Sequence, residues 1–355
     1  MNDDTAHTYD AVLVMSFGGP EGPDDVVPFL EKVAGPHRIP PERLAVVADH
    51  YRHFGGVSPI NDQNRALIAA LRAELKSHGP DLPVYFGNRN GHPFIEDTVR
   101  QMRDDNVRRA AVFVTSVFSS YSGCRQYQED IARACAAVGE RAPIFEKLRV
   151  AYNHPGFIGP QVERARRALD QFPPQERAST RLVFTAHSIP LGLARQSDYV
   201  AQLEEACRLV AGGLGRSDYR LVYQSRSGSL RTPWLEPDIC AYLEELRAAG
   251  AERVVVVPIG FISDHMEVVF DLDTEARARA ERIGLRMVRA ETVGTHTAFV
   301  SMIRELVLER MSANPERRCL GTRGPGHDIC PLDCCLGGNP RSGEDPALFV
   351  DRLDA

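Results

Sequence analysis

Eight short apolar runs, each closed by a turn of polar, proline or glycine residues, alternate along this chain with amphipathic segments. The runs are Ala11–Met15, Val84–Phe86, Ala110–Val114, Pro143–Lys147, Leu182–Thr185, Leu221–Tyr223, Val254–Ile259 and Leu285–Arg289. Between them, apolar residues recur at helical spacing, as in Asn61–Lys76, Pro93–Asp105, Arg125–Val138, Tyr199–Ala211, Pro237–Ala248 and His265–Glu281. Strand and helix alternating in this way predicts parallel sheets covered by helices on both faces. Four runs fall in each half. The expected fold is therefore α/β, with two Rossmann-like domains on four-stranded parallel sheets and an irregular, cysteine-bearing tail.

A chain of 355 residues exceeds one ordinary core and suits two domains. The polar, proline-bearing stretch Gln171–Thr180 marks the expected boundary. It divides the chain into residues 9–172, 173–293, a final helix over 294–312, and a tail over 313–355 without periodicity. The tail is rich in Gly, Pro, Arg and Cys, so something other than an apolar core must order it. A net charge of −6 argues against a nucleic-acid partner. No apolar run approaches the ~20 residues of a membrane span. The polar, acidic Met1–His7 does not read as a signal or transit segment, so a cytoplasmic protein without stable membrane association is expected.

Two segments carry most of the chemistry. Arg181-Leu-Val-Phe-Thr-Ala-His187-Ser-Ile-Pro190 and Val257-Pro-Ile-Gly-Phe-Ile-Ser-Asp264-His265-Met-Glu267 each end an apolar run in a turn bearing a histidine or carboxylate. At the carboxyl ends of parallel strands such side chains point into one crevice, so His187, His265 and Glu267 are expected to meet there. Neutral imidazole beside carboxylate suits taking protons from nitrogen and guiding a metal cation. Asp271 and Glu275 follow Glu267 at spacings of four and eight, which puts three carboxylates on one helical face. The alternative for that face is simple solvation. His265 either orients Glu267 or fills the turn. Eight cysteines are unevenly spread, with Cys319, Cys330, Cys334 and Cys335 crowded in the tail. In a reducing compartment such a group reads as a metal site before it reads as disulfides.

These two segments resemble the metal-site motifs of the ferrochelatases, which insert iron into porphyrins. The resemblance extends to Ser16-Phe-Gly-Gly-Pro20, Phe54-Gly-Gly-Val-Ser-Pro59, Tyr85-Phe-Gly-Asn-Arg89, Tyr223-Gln-Ser-Arg-Ser-Gly228 and Trp234-Leu-Glu-Pro-Asp238, in the family's order from about Tyr9 to Met311. It implies the chelatase fold, with ferrous iron as substrate, His187 as proton acceptor, and His187 with Glu267 as its metal contacts. Asp271 and Glu275 would then relay hydrated cations or protons. It also implies porphyrin contacts at Phe17, Arg38, His50, Ser58, Arg89, Tyr127, Gln224, Ser225 and Trp234. Phe17 stands where several relatives carry a tyrosine able to approach the metal, and Phe17 cannot ligate.

The stretch Glu31–Arg43 is short and polar where membrane-associated relatives carry a longer apolar lip. That, and the Ser-Phe-Gly-Gly-Pro start, favour coproporphyrin III over protoporphyrin IX. The less favoured alternatives are a protoporphyrin IX enzyme and a non-catalytic haem carrier or Fe–S sensor. Relatives with a [2Fe–2S] cluster use one internal and three C-terminal cysteines. By resemblance the ligands are Cys124, Cys319, Cys330 and Cys335, with Cys334 as a substitute for Cys335. A zinc site on the same thiolates, or with His327, is the structural rival. A monomer or weak dimer is expected.

Overall fold

The computed structural model describes residues 8–34, 41–227 and 232–337, without the side chains of 41–43. Arg38 lies outside the described residues. Eight strands form two parallel sheets. The first has β1 (Ala11–Ser16), β2 (Val84–Asn88), β3 (Arg109–Val114) and β4 (Ile144–Lys147) in the order β2-β1-β3-β4. The second has β5 (Arg181–His187), β6 (Tyr219–Gln224), β7 (Arg253–Val257) and β8 (Arg286–Arg289) in the order β6-β5-β7-β8. Every apolar run of the sequence lies on one of these strands. The central strands look like what they are. All six residues of β1 are buried, as are five of the seven in β5, because helices cover both faces.

In each sheet the chain reverses its winding direction beside the central strand, between β1 and β3 and between β5 and β7. Crevices open at the carboxyl ends of strands at such switch points. The Phe17-Gly18-Gly19 turn leaves β1, His187 ends β5, and the Asp264–Glu267 turn follows β7.

The halves share one core. Val12, Val14 and Phe113 of the first sheet join a single apolar cluster with Leu182, Phe184, Val255 and Val257 of the second. The final helix, Thr297–Met311, fills the space between. Phe299, fully buried, meets Phe113 at 6.2 Å and Phe157 at 6.3 Å. Helix Ile60–His78, which packs on it, buries Leu67, Ile68, Leu71 and Leu75 along one stripe. It stops at Gly79, whose φ of +64° suits glycine and whose N–H closes onto the Leu75 carbonyl at 2.7 Å. Helix Pro155–Leu169 precedes residue 172 in the chain but packs on β7, β8 and helix Tyr199–Gly213 of the second sheet. Arg149 Nε and Nη2 reach the two carboxylate oxygens of Glu309 at 2.7 and 2.8 Å, tying β4's exit to the final helix through a pair almost wholly buried.

Candidate active site

His187 is the last residue of β5 and lies in register with Gln224, the last of β6. The turn after β7 reaches it because Gly260 rests on Ala186. A Cβ at Gly260 would meet the Ala186 Cα and Cβ at 2.7 Å. Tyr199 donates its hydroxyl to the His187 carbonyl at 3.0 Å and fixes the strand end. His187 Nδ1 lies 2.5 Å from the Ser188 carbonyl, which can only accept, so Nδ1 carries a proton. Nε2 then faces Glu267 Oε1 at 3.3 Å.

The two groups hold each other charged. Burial works against the imidazolium, but the Glu267 charge and hydrogen bond prevail and raise His187 to about 9. Burial works against the Glu267 carboxylate too, and the His187 charge prevails there and lowers it to about 2. Both side chains still touch solvent, 30 % and 45 % exposed, so water screens the pair while the cleft is open. The ligand-free site at neutral pH is thus an ion pair, where the sequence suggested a neutral imidazole.

His265 is the cap of the next helix. Its Nδ1 accepts from the Glu267 N–H at 3.3 Å, which requires an unprotonated nitrogen. Burial, the leading influence, accordingly lowers its pKa. The bond goes to the Glu267 backbone and holds the turn, while His265 Nδ1 lies 3.7 Å from Glu267 Oε2. The helix itself is unusual. Three α-helical residues, Met266–Val268, lead into a π-helix over Val269–Ala276 and an α-helix over Arg277–Arg282. Glu267, Asp271 and Glu275 run along it from the cleft to the surface, where Glu275 is exposed. Burial first, then the Glu267 and Glu275 charges, raises Asp271 to about 7 against a hydrogen bond from Ser225. Gln224 Nε2 donates to the Glu267 carbonyl at 2.7 Å. The last residue of β6 and the one after it therefore both hold the acidic helix. Ser225 does so with a φ of +63°, a strained setting for a residue with a Cβ.

From the first half, Phe17 lies half-exposed with its ring edge-to-face on Phe29 at 6.0 Å. His50 stacks on Phe270 of the π-helix at 3.8 Å. Ser58 is buried behind Gly19, where a Cβ would meet the Ser58 Cβ at 2.6 Å. Arg89 is engaged. Its Nε pairs with Asp130 at 2.5 Å and its guanidinium lies over the Tyr127 ring at 4.9 Å, all buried or nearly so. That pairing leaves Arg89 and Tyr127 as one packed unit. Trp234 pairs with Pro190 across an antiparallel bridge, and its indole N–H is buried without a partner among the described residues. Sequence reasoning missed Tyr51. Its hydroxyl is buried and is pushed up by that burial and by the Glu267 and Asp271 charges. Tyr51 and Met266 share an apolar cluster with Phe29, which docks helices Val26–Ala34 and Pro41–His53 onto the acidic helix. No sequence period marks such a pairing of distant segments.

A second cluster lies elsewhere. Cys124 sits buried in the turn Tyr121–Arg125, which Ser120 Oγ caps by accepting from the Gly123 N–H at 2.9 Å. Cys124, Cys330, Cys334 and Cys335 line one pocket with Arg125, and the Cys334 and Cys335 sulfurs are 3.4 Å apart. Hydrogen bonds from the Cys330 and Cys335 thiols, helped by Lys147, lower Cys124. Cys330 is raised as the donor to Cys124. Cys319 is not among the lining residues. It lies in the stretch held by Arg149, which donates to the Arg318 carbonyl at 2.9 Å, and by Asn153, which donates to the Leu320 carbonyl at 3.2 Å. Among the described residues no three His, Cys, Asp or Glu groups converge as a ready site for a single metal ion. A binuclear cluster makes a different demand, since its four thiolates are divided between two irons. Four cysteines walling one pocket meet it.

The ferrochelatase family model matches residues 9–311, which takes in the cleft and stops short of the cysteine tail. A ferrochelatase of Rhodopirellula baltica is 53% identical over 92% of this chain and 93% of its own. A coproporphyrin III ferrochelatase of Streptomyces griseus is 50% identical over 94% of this chain and 95% of its own. Among solved structures, the sirohydrochlorin chelatase of Bacillus subtilis subspecies spizizenii, in complex with cobalt, superposes with a TM-score of 0.51. It is 12% identical, with 86% of this chain and 96% of that one covered, so it bears on the fold alone.

Proposed function

Since the chain belongs to the ferrochelatase family, we propose that it inserts ferrous iron into coproporphyrin III, yielding iron-coproporphyrin and two protons. The observation that carries the reading is the 3.3 Å contact between His187 Nε2 and Glu267 Oε1 at the junction of the two halves. It joins a group able to receive pyrrole protons to a line of carboxylates that reaches solvent. Iron moving along Glu275 and Asp271 arrives at Glu267 and competes with the imidazolium for that carboxylate. The cation also repels the charge on His187, whose proton then leaves. Asp271, titrating near neutrality, suits its passage outward. His187 becomes neutral as the metal arrives, when a base is needed for pyrrole N–H. Filling the cleft with a flat ring excludes the screening water and strengthens each of these interactions.

For the ring itself, Phe17 offers an apolar surface, and the Trp234 N–H, without a partner among the described residues, is a donor suited to a carboxylate. Phe17 cannot ligate, so no protein ligand is assigned to the ring face it covers. Val27, Val33, Val46 and Val57 of the first half are exposed. No helix among the described residues is long and apolar enough to cross a membrane. The name carried by the Streptomyces relative supports coproporphyrin III, and a cytoplasmic setting accords with such a polar substrate.

The chemistry of the second pocket suits a [2Fe–2S] cluster held by Cys124, Cys330, Cys334 and Cys335, with Cys334 standing where Cys319 was expected. Such a cluster would contribute charge and a cross-link between tail and first sheet, and metal insertion transfers no net electrons.

The deciding experiment is anaerobic insertion of Fe2+, followed by visible spectroscopy, into coproporphyrin III and protoporphyrin IX side by side. Turnover with the first is expected. Turnover with protoporphyrin IX alone would keep the chelatase and reject the substrate. Tight haem binding without turnover would make the protein a carrier.

A further inference from the structure

We infer that Arg289 is a positioning residue for iron delivery, acting through the π-helix; this rests on the reading of the cleft given above. Arg289 ends β8 and its side chain is 13% exposed. Its guanidinium grips two carboxylates at once. Nη1 and Nη2 reach Asp264 Oδ1 and Oδ2 at 3.1 and 3.4 Å, while Nε and Nη2 reach Asp273 Oδ1 and Oδ2 at 2.8 and 2.7 Å. Asp264 precedes Glu267 and Asp273 follows Asp271. One side chain therefore closes a chord across the segment that carries both working carboxylates.

The chord matters because that segment is a π-helix. Its i→i+5 turns hold more residues each than α-turns, and the form is rare and found mostly at functional sites. Something must favour it over the α-helix that the same residues would otherwise form. Two anchors gripped by one rigid fork shorten the span between them, and a π-turn takes up its residues in less length. The near anchor is also fixed from both halves, since the Asp264 N–H donates to Gln63 Oε1 of the first at 2.8 Å and Thr292 Oγ1 of the second donates to Asp264 Oδ1 at 3.3 Å. The far anchor has a weaker second partner, Arg277, at 3.4 Å. Lysine cannot replace the fork, because a single ammonium does not grip two carboxylates in bidentate fashion.

The test compares wild type, Arg289→Met, Arg289→Lys and the triple variant Asp264→Asn/Asp273→Asn/Arg289→Met. Readouts are iron and porphyrin KM, kcat, porphyrin affinity by fluorescence quenching, and hydrogen exchange of amides 265–276. The expected result in Arg289→Met is an iron KM raised, or kcat lowered, by about 10- to 100-fold. Porphyrin affinity should stay within about twofold, and exchange should quicken across 265–276. Arg289→Lys should not restore iron kinetics. Arg289→Met leaves two carboxylates uncompensated, so the triple variant controls for folding: it should regain thermal stability and keep the iron defect. Wild-type iron kinetics in Arg289→Met, or their return in the triple variant, would overturn the proposal and leave only charge neutralisation. Absence of turnover in wild type itself would instead count against the cleft reading, and the exchange measurement would still judge the clamp.

Discussion

The cleft and the cysteine pocket are two sites assembled by opposite means. In the cleft, strand ends and the helix after β7 carry the chemistry, and the central charged groups already have partners. His187 faces Glu267, Asp271 takes Ser225, and Arg289 grips Asp264 and Asp273. In the cysteine pocket, three of the four sulfurs come from a tail with little core of its own. That tail is ordered chiefly by backbone groups captured by side chains of the body. Asn153 takes the Leu320 and Gly324 carbonyls, Glu205 the Thr322 N–H at 2.8 Å, and Arg125 the Leu332 carbonyl at 2.8 Å. Glycine makes the fit possible, since a Cβ at Gly326 would meet Val150 atoms at 2.8 Å. A site on strand ends stands ready before its ligand arrives, whereas a site on a captured tail depends far more on what it holds.

The largest expected effect breaks the cleft alone. His187→Ala should lower kcat by about a hundredfold to ten-thousandfold, the range of a lost proton-transfer group, while the melting temperature changes little. Steady-state kinetics beside a thermal melt would read both. The next strikes the joint that serves both regions. Arg149→Met strands Glu309, 6% exposed, as an unpaired buried charge, for a loss of about 3–5 kcal/mol in denaturant unfolding. It also releases the Arg318 carbonyl, so the tail should become more open to proteolysis.

A third comparison sharpens the pocket's membership. Cys334→Ser should lose visible cluster absorption and melt at lower temperature, and Cys319→Ser should keep both. The reverse pattern would return Cys319 to the ligand set.

The smallest effect concerns charge. Glu267→Gln should bring the His187 titration, followed by NMR of its ring, well down from about 9, since burial is then opposed only by the Ser188 hydrogen bond and the Asp271 charge. The raised His187 pKa means that the pair's stabilisation is whole below about 6.5 and is lost as pH rises through about 9. The lowered Glu267 pKa means that it is whole above about 4.5 and is lost as pH falls through about 2. Between pH 6.5 and 9, wild type should therefore lose more thermal stability than Glu267→Gln.

The sequence by itself determined the framework. Eight apolar runs became eight strands because burial on both faces demands continuous apolar residues, and that demand is local. It also determined which strand ends carry chemistry, since His187, Gln224 and the Asp264–Glu267 turn each follow directly from a run. Only the tertiary structure decided what those side chains do. The helical spacing of Glu267, Asp271 and Glu275 is equally consistent with α- and π-turns, and the choice was made with Arg289, a residue of another strand. Arg89 reads as a free cation until Asp130 is seen beside it. The sequence favoured Cys319 and offered Cys334 only in place of Cys335, whereas the path of the tail around Arg149 and Asn153 brings Cys334 and not Cys319 to the pocket wall. Hydrophobic burial is written residue by residue, whereas the pairing of charges depends on which distant groups the fold brings within a few ångströms.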